Sequence, residues 1–126
     1  MITFNKIRYD KDQGKTYCNI CGELFKENTI VYISQQSFGM ACEKCKKKFT
    51  DEQIEEFFYL FNKYGGHFKI YESNQIRLEE IVKEFFNFIK HKESSDLIEI
   101  NQKIRHKALI HGFTPEQLVE KMKDLI

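Results

Sequence analysis

The apolar positions of this chain change their period along its length, and the elements follow from that change. Near the start, Ile2, Phe4, Ile7 and Tyr9 alternate in part, which predicts one strand before a turn at Asp10 to Gly14. The run Thr29 to Ser34 is β-branched and aromatic; the turn-like Gln35-Gln36-Ser37 follows, and Phe38 to Ala41 then leads back to Cys42, so this stretch reads as a hairpin. From residue 50 onward the spacing becomes helical. Ile54, Phe57, Phe58 and Phe61 stand at i, i+3, i+4 and i+7 of a helix that stops at Gly65-Gly66. His67 to Tyr71 reads as a further short strand. Leu78, Ile81, Val82, Phe85 and Ile89 then mark a helix from Ser73 or Asn74 to His91, with Glu79 and Lys83 paired along it. Glu93 to Asp96 breaks that helix, and Asp96 with Glu99 caps the next, which carries Leu97, Ile100, Ile104 and Ala108 and is stopped by Gly112. The last helix points Leu118, Val119, Met122 and Leu125 inward.

Two helix starts carry the same local chemistry. In Phe49-Thr50-Asp51-Glu52-Gln53-Ile54, Thr50 and Gln53 have capping-box spacing, while Phe49 and Ile54 stand where a hydrophobic staple needs them. Phe113-Thr114-Pro115-Glu116-Gln117-Leu118 repeats the arrangement, with Pro115 at the first helical position. The flanking residues differ, so the echo is shared capping physics and not an internal repeat. The expected fold class is α+β: an N-terminal finger built on a hairpin, then a C-terminal helical bundle. The domain boundary falls at 1–66 and 67–126.

The four cysteines change this picture most. They form two C-x-x-C pairs, Cys18-Asn19-Ile20-Cys21 and Cys42-Glu43-Lys44-Cys45, a separation that points to one tetrahedral Zn²⁺ site with all four as ligands. Gly22 follows the first pair, where a knuckle needs positive φ; after Cys45 the chain runs on as Lys46-Lys47-Lys48. One glycine-bearing knuckle, a hairpin and a second pair opening a helix together resemble treble-clef zinc fingers. Over about residues 16–50 the chain is similar in style to the small zinc-binding domain at the N-terminus of the ClpX chaperone. That resemblance implies a four-cysteine zinc domain that dimerises and recruits adaptors and substrates without catalysis. The cap at Thr50 departs from the pattern, because it predicts a short basic turn and a helix restart where that family's helix runs straight on.

Composition narrows the function classes. Twelve Phe among 126 residues, one Pro and six Gly argue for a packed core and against disorder. The opening residues lack a continuous apolar segment, and Phe57 to Phe61 is too short to span a bilayer. A cytoplasmic protein is the expectation, and in a reducing compartment paired cysteines hold metal more often than disulfides. Nine Lys/Arg and five Asp/Glu give the first fifty residues +4, and eleven and fourteen give the remainder −3. A zinc tetrathiolate would bring the first part to about +2, a weak footprint for non-specific nucleic-acid binding.

Four thiolates close the zinc shell, so the site is read as structural and the protein as no enzyme. His67, His91, His106 and His111 stand in no catalytic motif, and residues 22–41 lack the histidine a His-Asn-His nuclease would place in its hairpin. Phe57, Phe58, Tyr59 and Phe61 belong to a helix that is apolar all round. Simple burial is the first account of them, and contact with a protein partner or a second copy is the other. Lys44, Lys46, Lys47 and Lys48 either offset the anionic metal centre or grip phosphates. The reading that results is a zinc-binding regulator or adaptor that recognises protein. The alternative is a nucleic-acid-binding regulator that uses those lysines, with the last two helices as a helix-turn-helix. Glu116, Glu120 and Asp124 argue against the latter, since they would repel phosphate from a recognition helix.

Overall fold

The computed structural model describes residues 2–10, 16–72, 76–91 and 97–125. The chain divides into two compact units, Met1–His67 and Phe68–Ile126. Among the described residues the first holds a three-stranded antiparallel sheet and two helices, and the second holds three helices, so the class is α+β.

In the first unit, β1 (Phe4–Arg8) pairs with β2 (Ile30–Ser34), which pairs with β3 (Met40–Cys42). Phe4 faces Ser34 across the first pairing, and Val31 faces Cys42 across the second. Ser34 is a polar residue with no exposed surface, and its hydroxyl is fully used. The amides of Gln36 and Ser37 each donate to it at 3.1 Å, which closes the turn between β2 and β3. β3 runs without a loop into α1 (Glu43–Lys48), for which Cys42 is the N-cap. Phe49 then leaves the helix in an extended conformation, and Thr50 caps α2 (Asp51–Tyr64). The expected capping box is formed, with Thr50 N–H donating to Gln53 Oε1 at 3.0 Å and Gln53 N–H to Thr50 Oγ1 at 3.2 Å. Phe49 and Ile54 are both buried, and the Phe49 ring meets Phe57 edge to face at 4.8 Å.

Along α2, burial accounts for the surplus of aromatics. Ile54, Phe57, Phe58, Leu60 and Phe61 are all buried, and only Tyr59 of the Phe57–Phe61 run faces out. Phe58 lies so close to the hairpin that a Cβ on Gly39 would stand 2.4 Å from its ring. Gly39 is therefore demanded by packing between sheet and helix. Gly65, at φ +86, ends α2, and its N–H donates to Phe61 O.

The second unit packs α3 (Leu78–His91), α4 (Leu97–Ile110) and α5 (Pro115–Leu125) around Ile81, Val82, Ile104, Ala108 and Leu118. Gly112 at φ +90 ends α4, and Thr114 with Gln117 forms the second capping box, at 2.8 and 3.2 Å. Among the described residues, no helix is long and apolar enough to cross a membrane.

Several expectations are corrected. The strand expected at His67 to Tyr71 is absent: residues 68–72 form turns, and Lys69 takes φ +68. The end of α4 captures this segment, because the N–H groups of Lys69 and Tyr71 donate to the last-turn carbonyls Leu109 O, which Gly112 N–H also reaches, and Ile110 O. Phe86 joins the core and Ile89 does not, since Ile89 stands in the last turn of α3, beyond the residues that meet the cluster. Val119 is 48% exposed because the inward row of α5 runs Leu118, Met122, Leu125 and leaves it to one side. α3 begins at Leu78, while a start at Ser73 or Asn74 lies outside the described residues. The turn after Asp10, the break at residues 93–96 and the Asp96 cap also lie outside them.

The two caps are separable. Thr50→Ala and Thr114→Ala should each lower stability by about 1 kcal/mol, against about 3–5 kcal/mol for Phe57→Ala. Urea unfolding measures the totals, and amide exchange should place the first loss in α2 and the second in α5.

Candidate metal centre

Two pieces of local structure bring the cysteines together. Tyr17 bridges to Leu24, so the chain doubles back within the first pair. Cys18 N–H donates to Glu23 O and Gly22 N–H to Cys18 O, both at 2.9 Å. Gly22 takes φ +78, and a Cβ there would stand 2.7 Å from the His67 ring, so backbone and packing both require glycine. The second pair uses the strand-to-helix junction, with Cys42 as the N-cap and Cys45 in the first turn of α1. Asn19 fastens one piece to the other: its backbone N–H donates to Met40 O at 2.8 Å, and its side-chain oxygen accepts from Met40 N–H at 2.7 Å.

All four sulfurs lie within 4.8 Å of one another. Cys18 and Cys45 Sγ are 3.8 Å apart, as are Cys21 and Cys42 Sγ. A disulfide requires about 2.05 Å, so the four are free thiols. A tetrahedron with metal–sulfur bonds of about 2.3 Å has edges of about 3.8 Å, so the spacing fits one ion at its centre. Backbone amides already point at the sulfurs: Ile20 and Cys42 N–H donate to Cys18 Sγ at 3.4 Å, and Cys45 N–H to Cys42 Sγ at 3.5 Å. Such donors stabilise thiolate charge.

The thiols perturb one another strongly. Cys18 is held far below the ordinary thiol range, chiefly by the Cys21 side chain and then by Cys42 and Cys45. Cys45 is pushed far above it, first by Cys18 and then by Cys21 and Cys42. The first charge formed is stabilised by its neighbours, and the later ones are opposed by it. A divalent cation inside the group removes that opposition, which is the chemistry of a metal site. The four cysteines can hold a metal ion, and the group contains no histidine or carboxylate.

The lysines expected beside the metal are engaged with acids or rings. Lys44 lies 3.8 Å from Glu23 and Lys47 3.0 Å from Glu43. Lys46 pairs with Asp51 at 2.8 Å, with its ammonium over the rings of Phe4 and Tyr32, and Lys48 sits over Phe49. Of the helix aromatics put forward as partner contacts, Phe57, Phe58 and Phe61 are inside, which leaves Tyr59 at 51% exposure. His111 contacts Tyr71 in the second unit, and His67 packs on the knuckle glycine.

The fastening role of Asn19 and the packing roles of Gly39 and His67 escaped the sequence reading. Asn19 occupies a variable position of its C-x-x-C pair, and nothing local marks a side chain that will bind a strand twenty residues away. Comparison with protein-family profiles, with curated proteins and with solved structures finds no match to this chain. Its function has to be argued from its own geometry.

Gly22→Ala should destabilise the first unit by more than about 1 kcal/mol, since it combines a strained φ with a clash. Chemical denaturation followed by tyrosine fluorescence tests this, and Gly65→Ala, at φ +86 with nothing within 4 Å of an added Cβ, separates the strain from the clash.

Proposed function

We propose that Cys18, Cys21, Cys42 and Cys45 bind one Zn²⁺ as a closed structural site in a treble-clef type of finger, and that the protein is a non-enzymatic regulator or adaptor that recognises a protein partner. The sulfur tetrahedron carries the metal part. Knuckle, hairpin and a second pair at a helix start support the treble-clef reading, and the six-residue α1 followed by a capped restart is where it differs from the ClpX-type domain. With four protein ligands the ion has no open position for substrate or water, so its role is architectural.

The choice of protein over nucleic acid rests on the surface of the first unit. Three of its large aromatics are left in solvent, Tyr17, Tyr59 and Phe38, the last at 75% exposure. Of the four lysines that would grip phosphate, Lys44, Lys46 and Lys47 are matched by Glu23, Asp51 and Glu43, and Lys48 sits over the Phe49 ring. Aromatic anchors dominate protein interfaces, whereas a neutralised basic patch gives little phosphate affinity.

Elemental analysis should find one zinc per chain, with metal lost as pH falls and the thiolates protonate. A Cys→Ser change at any of the four positions should release it and loosen the first unit. Changing Lys46, Lys47 and Lys48 to Glu should leave partner capture intact, while Tyr59→Ser weakens it without unfolding the chain. Tight, steeply salt-dependent binding to random-sequence DNA or RNA that the triple Glu change removes would overturn the protein-binding reading.

A further inference from the structure

A groove of about 530 Å³ opens on the first unit, between the β2–β3 turn and α2. Its rim carries the exposed rings of Tyr17, Phe38 and Tyr59, and glycines at 39 and 66 keep its lining low. Phe38 is the unusual member. It holds φ +62, a conformation that disfavours a bulky side chain, and the result is a phenyl ring left largely in water. The turn enforces this, since Ser34 O accepts from Phe38 N–H at 3.0 Å while the Ser34 hydroxyl accepts from Gln36 and Ser37, two of the three residues between. Strain and exposure at one residue mark a position kept for something other than the stability of the fold.

Glu55 is the single charged residue in the lining. Glu23, Glu43 and Asp51 of the same unit each have a lysine, whereas Glu55 has no ion pair among the described residues and accepts only from the Ser37 hydroxyl, at 3.3 Å. The groove therefore offers π faces and one uncompensated carboxylate. Both favour a cation, and neither favours an anion or a phosphate backbone. The Tyr59 ring already accepts one from outside the lining, with the Lys63 ammonium 5.6 Å from its centroid.

We propose that this groove receives an arginine side chain of a protein partner. A guanidinium is planar, stacks on aromatic faces and presents two parallel N–H donors to a carboxylate, so it uses rings and Glu55 together. A lysine ammonium satisfies only one of the two well. The proposal deepens the protein-recognition reading above and depends on it.

The test is titration of the full, metal-loaded ¹⁵N-labelled chain with the capped peptide Gly-Arg-Gly, and with counterparts holding lysine or the neutral isostere citrulline. Saturable shifts should appear at Ser37, Gly39, Glu55 and Asn62 with arginine, weaken several-fold with lysine and vanish with citrulline. Glu55→Gln should weaken arginine binding at least tenfold, and Phe38→Ser, at a residue the core does not use, should do the same with an otherwise unchanged spectrum. Equal shifts with citrulline, insensitivity to Glu55→Gln, or no shift up to the solubility limit would overturn the proposal. So would concentration-dependent shifts of the same amides without peptide that Phe38→Ser removes, because they would assign the groove to a second copy. Failure here with capture of a partner still dependent on Tyr59 would leave the broader reading standing; salt-steep nucleic-acid binding would remove both.

Discussion

Four sulfurs at the corners of one small tetrahedron are a demanding thing for a short chain to hold. Like charges formed there repel, and the residues that bring them come from a knuckle at 18–21 and a helix start at 42–45. The rest of the first unit can be understood as the means of holding that arrangement. Gly22 permits the knuckle to turn, Asn19 ties it to β3, and β3 passes directly into α1 so that Cys42 and Cys45 share one turn of helix. A bound cation would convert this from a source of repulsion into a crosslink between segments far apart in sequence, with a gain that grows with the loop it closes.

Around that centre the aromatic core does what a small sheet cannot do alone. A three-stranded sheet with strands of three to five residues buries little by itself. α2 supplies the missing surface, placing Phe57, Phe58 and Phe61 inside, with Gly39 admitting the Phe58 ring against the hairpin. The break between α1 and α2 belongs to the same design. Phe49 in extended conformation turns the chain so that its own ring reaches Phe57, and Thr50 restarts the helix on the new course. A continuous helix from Cys45 could not place both the cysteine pair and this aromatic face.

Features written in local chemistry could be read before any coordinates: the cysteine pairs, the hairpin, both capping boxes and the helical stripes. Those written in distant contacts could not. Gly39 and Gly22 are required partly by rings that arrive from residues 58 and 67, and no window of sequence contains both members of either pair. Residues 68–72 have β-like composition, yet the last-turn carbonyls of α4, forty residues away, take their N–H groups. The division of the Phe57–Phe61 run into four inward residues and one outward tyrosine likewise depends on what surrounds the helix.

On the proposed reading, a closed tetrathiolate shell would leave its ion no chemistry to perform and would move the interest of the first unit to its surface. The lysines nearest the cysteines answer local acids and rings, which is what a cluster does when it keeps an anionic centre soluble and fixes α1 against α2. Tyr59 of the aromatic rim has Lys63 beside it, but Phe38 has no such local account among the described residues. Phe57, Phe58 and Phe61 show that this unit buries phenyl rings where it can, so Phe38, strained and exposed on a turn fastened by a buried serine, is held out against that tendency. Hydrophobic burial would reward a chain that tucked the ring away, so its exposure is what the proposed recognition role has to explain, and Glu55, with no ion pair among the described residues, is what would set the sign of the charge received.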